Sequence, residues 1–198
     1  MTEFDIRPYH PADMPMLYQI CLETGASGAD ATGTVDRDLL GHIFAAPYVT
    51  MEPELCFVLT LQGAVCGYIL GARDSKAFAG WCDQNWWPVL KMAYPLRSQT
   101  DHSREAELIK TIHHGYKVSV VSDLYPAHLH IDILPVAQGQ GYGPKLIGAF
   151  LDRLRELDVV GVHLGVGKAN QRATVWYPRL GFFVAQESDS LTTYAMQL

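Results

Sequence analysis

Several features are scarce or absent in these 198 residues, and each shortage removes a class of function. Basic residues are outnumbered, 15 Lys and Arg against 21 Asp and Glu, for a net charge of −6. A nucleic-acid partner requires a basic face, so none is expected. The four cysteines, Cys21, Cys56, Cys66 and Cys82, contain no CxxC pair and no histidine at metal-ligand spacing. They read as buried thiols of a reduced compartment, and no metal is expected. The first residues, Met-Thr-Glu-Phe-Asp-Ile-Arg, lack the basic start and apolar core of a signal peptide, which makes a cytoplasmic location the expectation. Residues 55–72 carry no charge, but Gln62-Gly63 divides them into two strand-length halves, and Gly67 and Gly71 weaken any helix. A hairpin is expected there rather than a membrane segment. With no internal repeat, low-complexity tract or linker, the chain reads as a single domain, 1–198.

What remains is a globular composition, 48% hydrophobic and 11% aromatic, in a chain long enough to bury a substantial core. A short strand is expected over 4–8, a helix from Met14 towards Gly25, a second helix over 36–46, and the hairpin over 56–61 and 65–70. Two helical stretches, 76–94 and 104–114, follow, with Trp81, Trp86 and Trp87 crowding the first. These tryptophans either wall a pocket or pack the 75–125 segment onto the core. A strand over 128–134, a helix over 145–157, a strand over 159–166, a helix near 171–177 and two final strands, 182–186 and 191–196, complete the pattern. The fold class is α/β with a helical insertion at about 75–125.

Between the strand 128–134 and the next helix lies Gln138-Gly-Gln-Gly-Tyr-Gly143. A strand that ends in a glycine-rich turn and opens a helix holds phosphate well: backbone N–H groups point at the anion, and the helix N-terminus contributes about half a positive charge. A Rossmann G-x-G-x-x-G does not fit, because the third glycine would fall at Pro144 or Leu146. A Walker A loop does not fit either, since no Gly-Lys-Ser/Thr occurs.

Gln138-x-x-Gly141-x-Gly143 does match the pyrophosphate signature [Q/R]-x-x-G-x-[G/A] of the GNAT acetyltransferase superfamily. Asn170-Gln-Arg-Ala173-Thr-Val-Trp-Tyr177-Pro-Arg-Leu-Gly181-Phe182 matches that family's late N-x-x-A-x-x-h-Y-x-x-x-G-F motif. Ile6-Arg7-Pro8 is similar to its usual first strand. Within the superfamily, Pro47-Tyr-Val-Thr, Glu54-Leu-Cys-Phe-Val and His130-Ile-Asp-Ile-Leu-Pro135 resemble the acetyltransferase-like domain of eukaryotic O-GlcNAcases. Nothing about sugar hydrolysis is carried over with that resemblance.

The resemblance implies a mixed, mostly antiparallel central sheet flanked by helices, with the 75–125 insertion between the third and fourth strands. It implies acetyl-CoA as cosubstrate, without a metal, and an amine of a small molecule or peptide as acceptor. Gln138, Gly139, Gln140, Gly141, Tyr142, Gly143 and Pro144 would hold the pyrophosphate, although Pro144 has no N–H to donate. The edge of strand 131–133 (Ile131, Asp132, Ile133) would pair with the pantetheine arm, and one of its N–H groups would face the oxyanion. Asn170 either contacts pantetheine or is only an N-cap, and Tyr177 is the expected acid to the departing thiolate. Pro178 is expected to bias Tyr177 out of helical geometry.

A base is needed because an amine with a pKa near 10.4 lies about 3.4 units above neutrality, a cost of roughly 4.6 kcal/mol. The family often uses a glutamate here, but none occurs at 128–136 or 159–169. Asp132, His130 and His128 are the candidates, all on one strand face unless a bulge intervenes. A catalytically inactive module that binds CoA and serves sensing or protein interaction stays open as the alternative. The resemblance fits a monomer or a homodimer.

Overall fold

The structure, a computed structural model, describes residues 3–198; Met1 and Thr2, part of both the N-terminal stretch and the 1–198 domain reading, lie outside the described residues. In chain order the elements are β1 (Phe4–Pro8), α1 (Met14–Thr24), α2 (Leu39–Phe44), α3 (Ala46–Met51), β2 (Phe57–Leu61), β3 (Ala64–Ala72) and α4 (Ser75–Trp81). A π-helical turn, Cys82–Trp86, leads into α5 (Trp87–Ala93) and α6 (Arg104–His114). Then come β4 (Ala127–Ile133), α7 (Tyr142–Glu156), β5 (Gly161–Gly167), α8 (Gln171–Trp176), β6 (Phe183–Glu187) and β7 (Leu191–Gln197). The strands form one sheet in the order β1-β2-β3-β4-β5-β7-β6, antiparallel throughout except for β4 and β5. This is the mixed, mostly antiparallel α/β architecture the motifs implied.

One expected helix is shortened and another divided, and proline explains both. The helix expected over 36–46 becomes α2 alone, and α3, which lies almost wholly beyond that range, follows as an element the sequence pattern did not anticipate. Pro47 has no N–H for the Ile43 carbonyl four residues back, and that carbonyl accepts the Tyr116 hydroxyl instead. The stretch 76–94 divides at the π-turn, just before Pro88, which likewise cannot bond the carbonyl of Gln84. The hairpin at 57–72 forms as expected. Gln62 (φ 52°) and Gly63 (φ 84°) are both left-handed, which matches the twist of the flanking strands. Among the described residues no helix is long and apolar enough to cross a membrane.

Each face of the sheet carries its own core. On one, Leu17, Ile20 and Cys21 of α1 recur at helical spacing and meet Leu40, Tyr68, Leu70, Trp87 and Ile109. On the other, Leu146, Phe150 and Leu154 of α7 meet Leu59, Ile69, Leu129 and Val162. The fold's main consequence for function lies at the centre of the sheet. Parallel β4 and β5 pair only at Ala127↔Val162 and His128↔His163. Beyond that point the strands part, leaving the later half of β4 without a strand neighbour on that edge among the described residues.

Candidate active site

The gap between the parting strands opens into a cleft of two lobes. The larger, about 480 Å³, runs from the turn after β4 along Ile131 and Ile133 to Trp176 and Tyr177. The smaller, about 310 Å³, is bounded by Cys21 and Phe44 on one side and by Leu164 and Val166 of β5 on the other. Ile131, Asp132, Asn170 and Tyr177 line both.

The glycine turn closes the outer end. Gly139 (φ 74°) and Gly141 (φ 81°) are left-handed, a conformation that costs other residues about 1–2 kcal/mol, and Gly141 is the N-cap of α7. No side chain caps that helix, so its first N–H groups have no intrahelical partner and face outward. Gly143 is required for a different reason: a Cβ there would lie 2.7 Å from the Trp176 ring, so this glycine lets α7 pack against α8. Gln138 lines the cleft and ties the turn to the strand through Nε2 to the Ile133 carbonyl at 2.7 Å. Pro144 and Gly139 line it too, whereas the side chains of Gln140 and Tyr142 point elsewhere. Gln140 bonds the Val136 carbonyl, and Tyr142 stacks on Phe4 at 4.5 Å.

Along β4 the register with β3 is unbroken, from Ala72↔His128 to Gly67↔Ile133. With no bulge there, His128, His130 and Asp132 share one face, but their environments differ. His128 is locked between Tyr48 Oη (3.0 Å) and Ser75 Oγ (2.8 Å). Burial, then the His163 and His130 charges, push its ring down to about 3, so it stays neutral and structural.

His130 and Asp132 form a pair at the cleft floor, Nε2 to Oδ2 at 2.9 Å, and the Tyr68 hydroxyl donates to the same oxygen at 2.7 Å. Phe44 stacks on the His130 ring at 5.6 Å. Burial alone would push His130 down. The Asp132 carboxylate, by charge and by hydrogen bond, and Cys21 beside it, instead push it up to about 10. Sequence reasoning missed Cys21, Tyr68 and Phe44. The sequence marked Cys21 as a buried thiol but carried no signal tying it to His130.

Tyr177 is buried, its ring packed on Trp176, Phe182 and Tyr194. Burial and then the Asp132 charge raise its phenol well above the ordinary value, so it keeps its proton at neutral pH. The expected displacement by Pro178 does not occur: Tyr177 has φ −59° and ψ −41°, ordinary helical values. It opens a 3-10 turn, Tyr177–Leu180, closed by the Phe182 N–H on its carbonyl, and that turn holds the residue in the helical region. Asn170 is the N-cap of α8, Oδ1 accepting from the Ala173 N–H at 3.2 Å, and it also lines the cleft. The tryptophans of the 75–125 segment pack instead of lining either lobe. Trp87 is fully buried, Trp86 donates to the His42 carbonyl, and Trp81 stacks on Trp86.

Comparison with known proteins agrees with this fold. The sequence model of the Acetyltransferase (GNAT) family matches residues 34–182. Protein O-GlcNAcase of Rattus norvegicus is 26% identical over 183 residues, and the mouse protein equally so. That stretch is 91% of this chain but only 20% of those proteins, so the chain spans about a fifth of their length. The crystal structure of SsHAT superposes with a TM-score of 0.92 at 35% identity, covering 98% of both chains. The yncA structure from Salmonella typhimurium with acetyl-CoA shares the fold, with a TM-score of 0.60 at 17% identity, covering 99% of this chain and 94% of that one.

Proposed function

The chain belongs to the acetyltransferase (GNAT) family, and from that premise we propose that it moves an acetyl group from acetyl-CoA directly to a primary amine of a small molecule or peptide, both substrates bound together. The observation that carries this reading is the parting of β4 from β5. It leaves a strand edge facing a cleft that runs from the glycine turn to Asp132 and Tyr177. The N–H groups of Gly139 to Gly143 and the α7 N-terminus hold the pyrophosphate, with Gln138 fixing the turn. Pro144, in the first turn of α7, contributes shape without a donor. The backbone of Ile131, Asp132 and Ile133 pairs with the pantetheine arm, and one of its N–H groups faces the oxyanion. Asn170, while capping α8, borders the same arm.

The amine nitrogen attacks the thioester carbonyl, and the C–S bond then breaks. Asp132 accepts the amine proton on the oxygen that His130 and Tyr68 leave free, directly or through water. His130, which already holds its proton, orients Asp132 rather than acting as the base. Tyr177 donates its phenolic proton to the departing CoA thiolate. The unit is a single domain, and its buried free cysteines suit a cytoplasmic location.

Acetyl-CoA turnover, read as free thiol against a panel of amines, tests the proposal. Tyr177→Phe should lower kcat by roughly 10²–10⁴ while leaving the KM for acetyl-CoA nearly unchanged. The absence of acceptor-dependent thiol release from every amine would refute it. The two hydrogen bonds already held by Asp132 favour a second reading, a CoA-binding module without turnover. Calorimetry showing tight acetyl-CoA binding by a chain that never transfers would select that reading.

A further inference from the structure

We propose that Cys21, His130 and Asp132 bind a single zinc ion at the floor of the cleft, with the fourth ligand position open to the substrate. One ligand atom from each residue lies within 4.8 Å of the other two, the thiol arriving from α1 and the other two from β4. A tetrahedral zinc with Zn–S of about 2.3 Å and Zn–N of about 2.0–2.1 Å sets neighbouring ligand atoms roughly 3.5 Å apart. Ligand atoms no more than 4.8 Å apart therefore lie near that spacing.

The donor set is selective. Thiolate, imidazole and carboxylate together suit a borderline-soft ion, whereas calcium and magnesium prefer oxygen alone. The surroundings are those of a prepared site. Phe44 and Tyr68 both pack against the His130 ring, at 5.6 and 5.9 Å, and the Tyr68 hydroxyl fixes the Asp132 carboxylate as an outer-shell partner fixes a metal-binding one. Cys21 is 2% exposed yet lines the smaller lobe, so an ion reaches it only through the cleft. Three protein ligands with an open fourth position describe a loadable site rather than a closed structural one. Zinc binds thiolate and neutral imidazole, so its binding releases protons and its occupancy depends on pH.

One consequence rests on the acetyl-transfer reading above: zinc occupies the Asp132 carboxylate, so the loaded protein does not transfer, and a chelator restores it. The experiment is separable from that reading because binding is measured on the chelator-treated chain without acetyl-CoA or amine. Titration calorimetry with zinc should give one site. Cobalt should give a thiolate-to-metal charge-transfer band in the near ultraviolet.

Cys21→Ser should abolish the band and weaken zinc binding at least tenfold. Asp132→Asn should weaken binding while keeping the band, and it preserves the test if the serine variant fails to fold. No uptake, a cobalt spectrum lacking the thiolate band, or affinity unchanged in both variants would overturn the proposal; the last would indicate an adventitious ion only. A chain that binds zinc but never transfers acetyl supports the site and refutes only the transferase reading.

Discussion

Replacing Asp132 with asparagine tests the physics of the cleft floor without needing a substrate. In the wild type the ring of His130 is raised to about 10, against about 6.5 in an unfolded chain, and the Asp132 carboxylate is the main cause of the rise. A histidine whose folded pKa exceeds its unfolded value stabilises the fold fully below pH 6.5, and that contribution is lost as the pH climbs towards 10. At 1.36 kcal/mol per unit the full shift corresponds to about 5 kcal/mol. The His130 side chain is 31% exposed and solvent screens part of this, so about 2–5 kcal/mol is expected. Tyr68, also raised, adds its own loss only above about pH 10.

Asp132→Asn keeps the shape but removes the charge, leaving burial, opposed only by Cys21, to push the ring below its ordinary value. Urea unfolding at several pH values between 6.5 and 9.5 should therefore show wild-type stability declining and the variant nearly flat. NMR titration of the His130 ring should move from the alkaline range to below 6.5. A wild-type ring titrating near neutrality, or parallel stability curves for the two proteins, would refute the reasoning.

Two glycine substitutions separate the cofactor turn from the core behind it. Gly141→Ala forces a Cβ into a left-handed N-cap at φ 81°, so a loss of about 1–2 kcal/mol in urea unfolding is expected, with weaker acetyl-CoA binding by calorimetry. Gly71→Ala puts its Cβ 2.4 Å from the Phe150 ring and 2.6 Å from the His128 carbonyl. Since the carbonyl belongs to a paired strand and cannot retreat, a loss of about 1–3 kcal/mol is expected, read as a lower urea midpoint.

The sequence by itself determined whatever depends on neighbours along the chain. The order of strands and helices follows from periodicity and turn residues, and the seven strands of the described residues lie where the pattern set them, within a residue or two. The Gln138 to Gly143 turn was legible because left-handed glycines opening a helix form a local device, complete within six residues. The Asn170 to Phe182 motif was legible for the same reason. The divisions at Pro47 and Pro88 were legible in principle, since a missing N–H acts within one helical turn.

Only the tertiary structure decided which distant side chains meet. Cys21, Tyr68 and the His130–Asp132 pair come from three separate elements, and the packing of α1 over β3 and β4 brings them into contact. That packing is set by apolar area and shape, which many pairings of an amphipathic helix with a sheet satisfy equally in the sequence. The parting of β4 from β5 is likewise a property of two strands paired at one end, invisible in either strand alone. The separate environments of His128, buried and neutral, and His130, held charged by Asp132, arise in the same way. A charge state follows from what lies within a few ångströms, and only the fold supplies those neighbours.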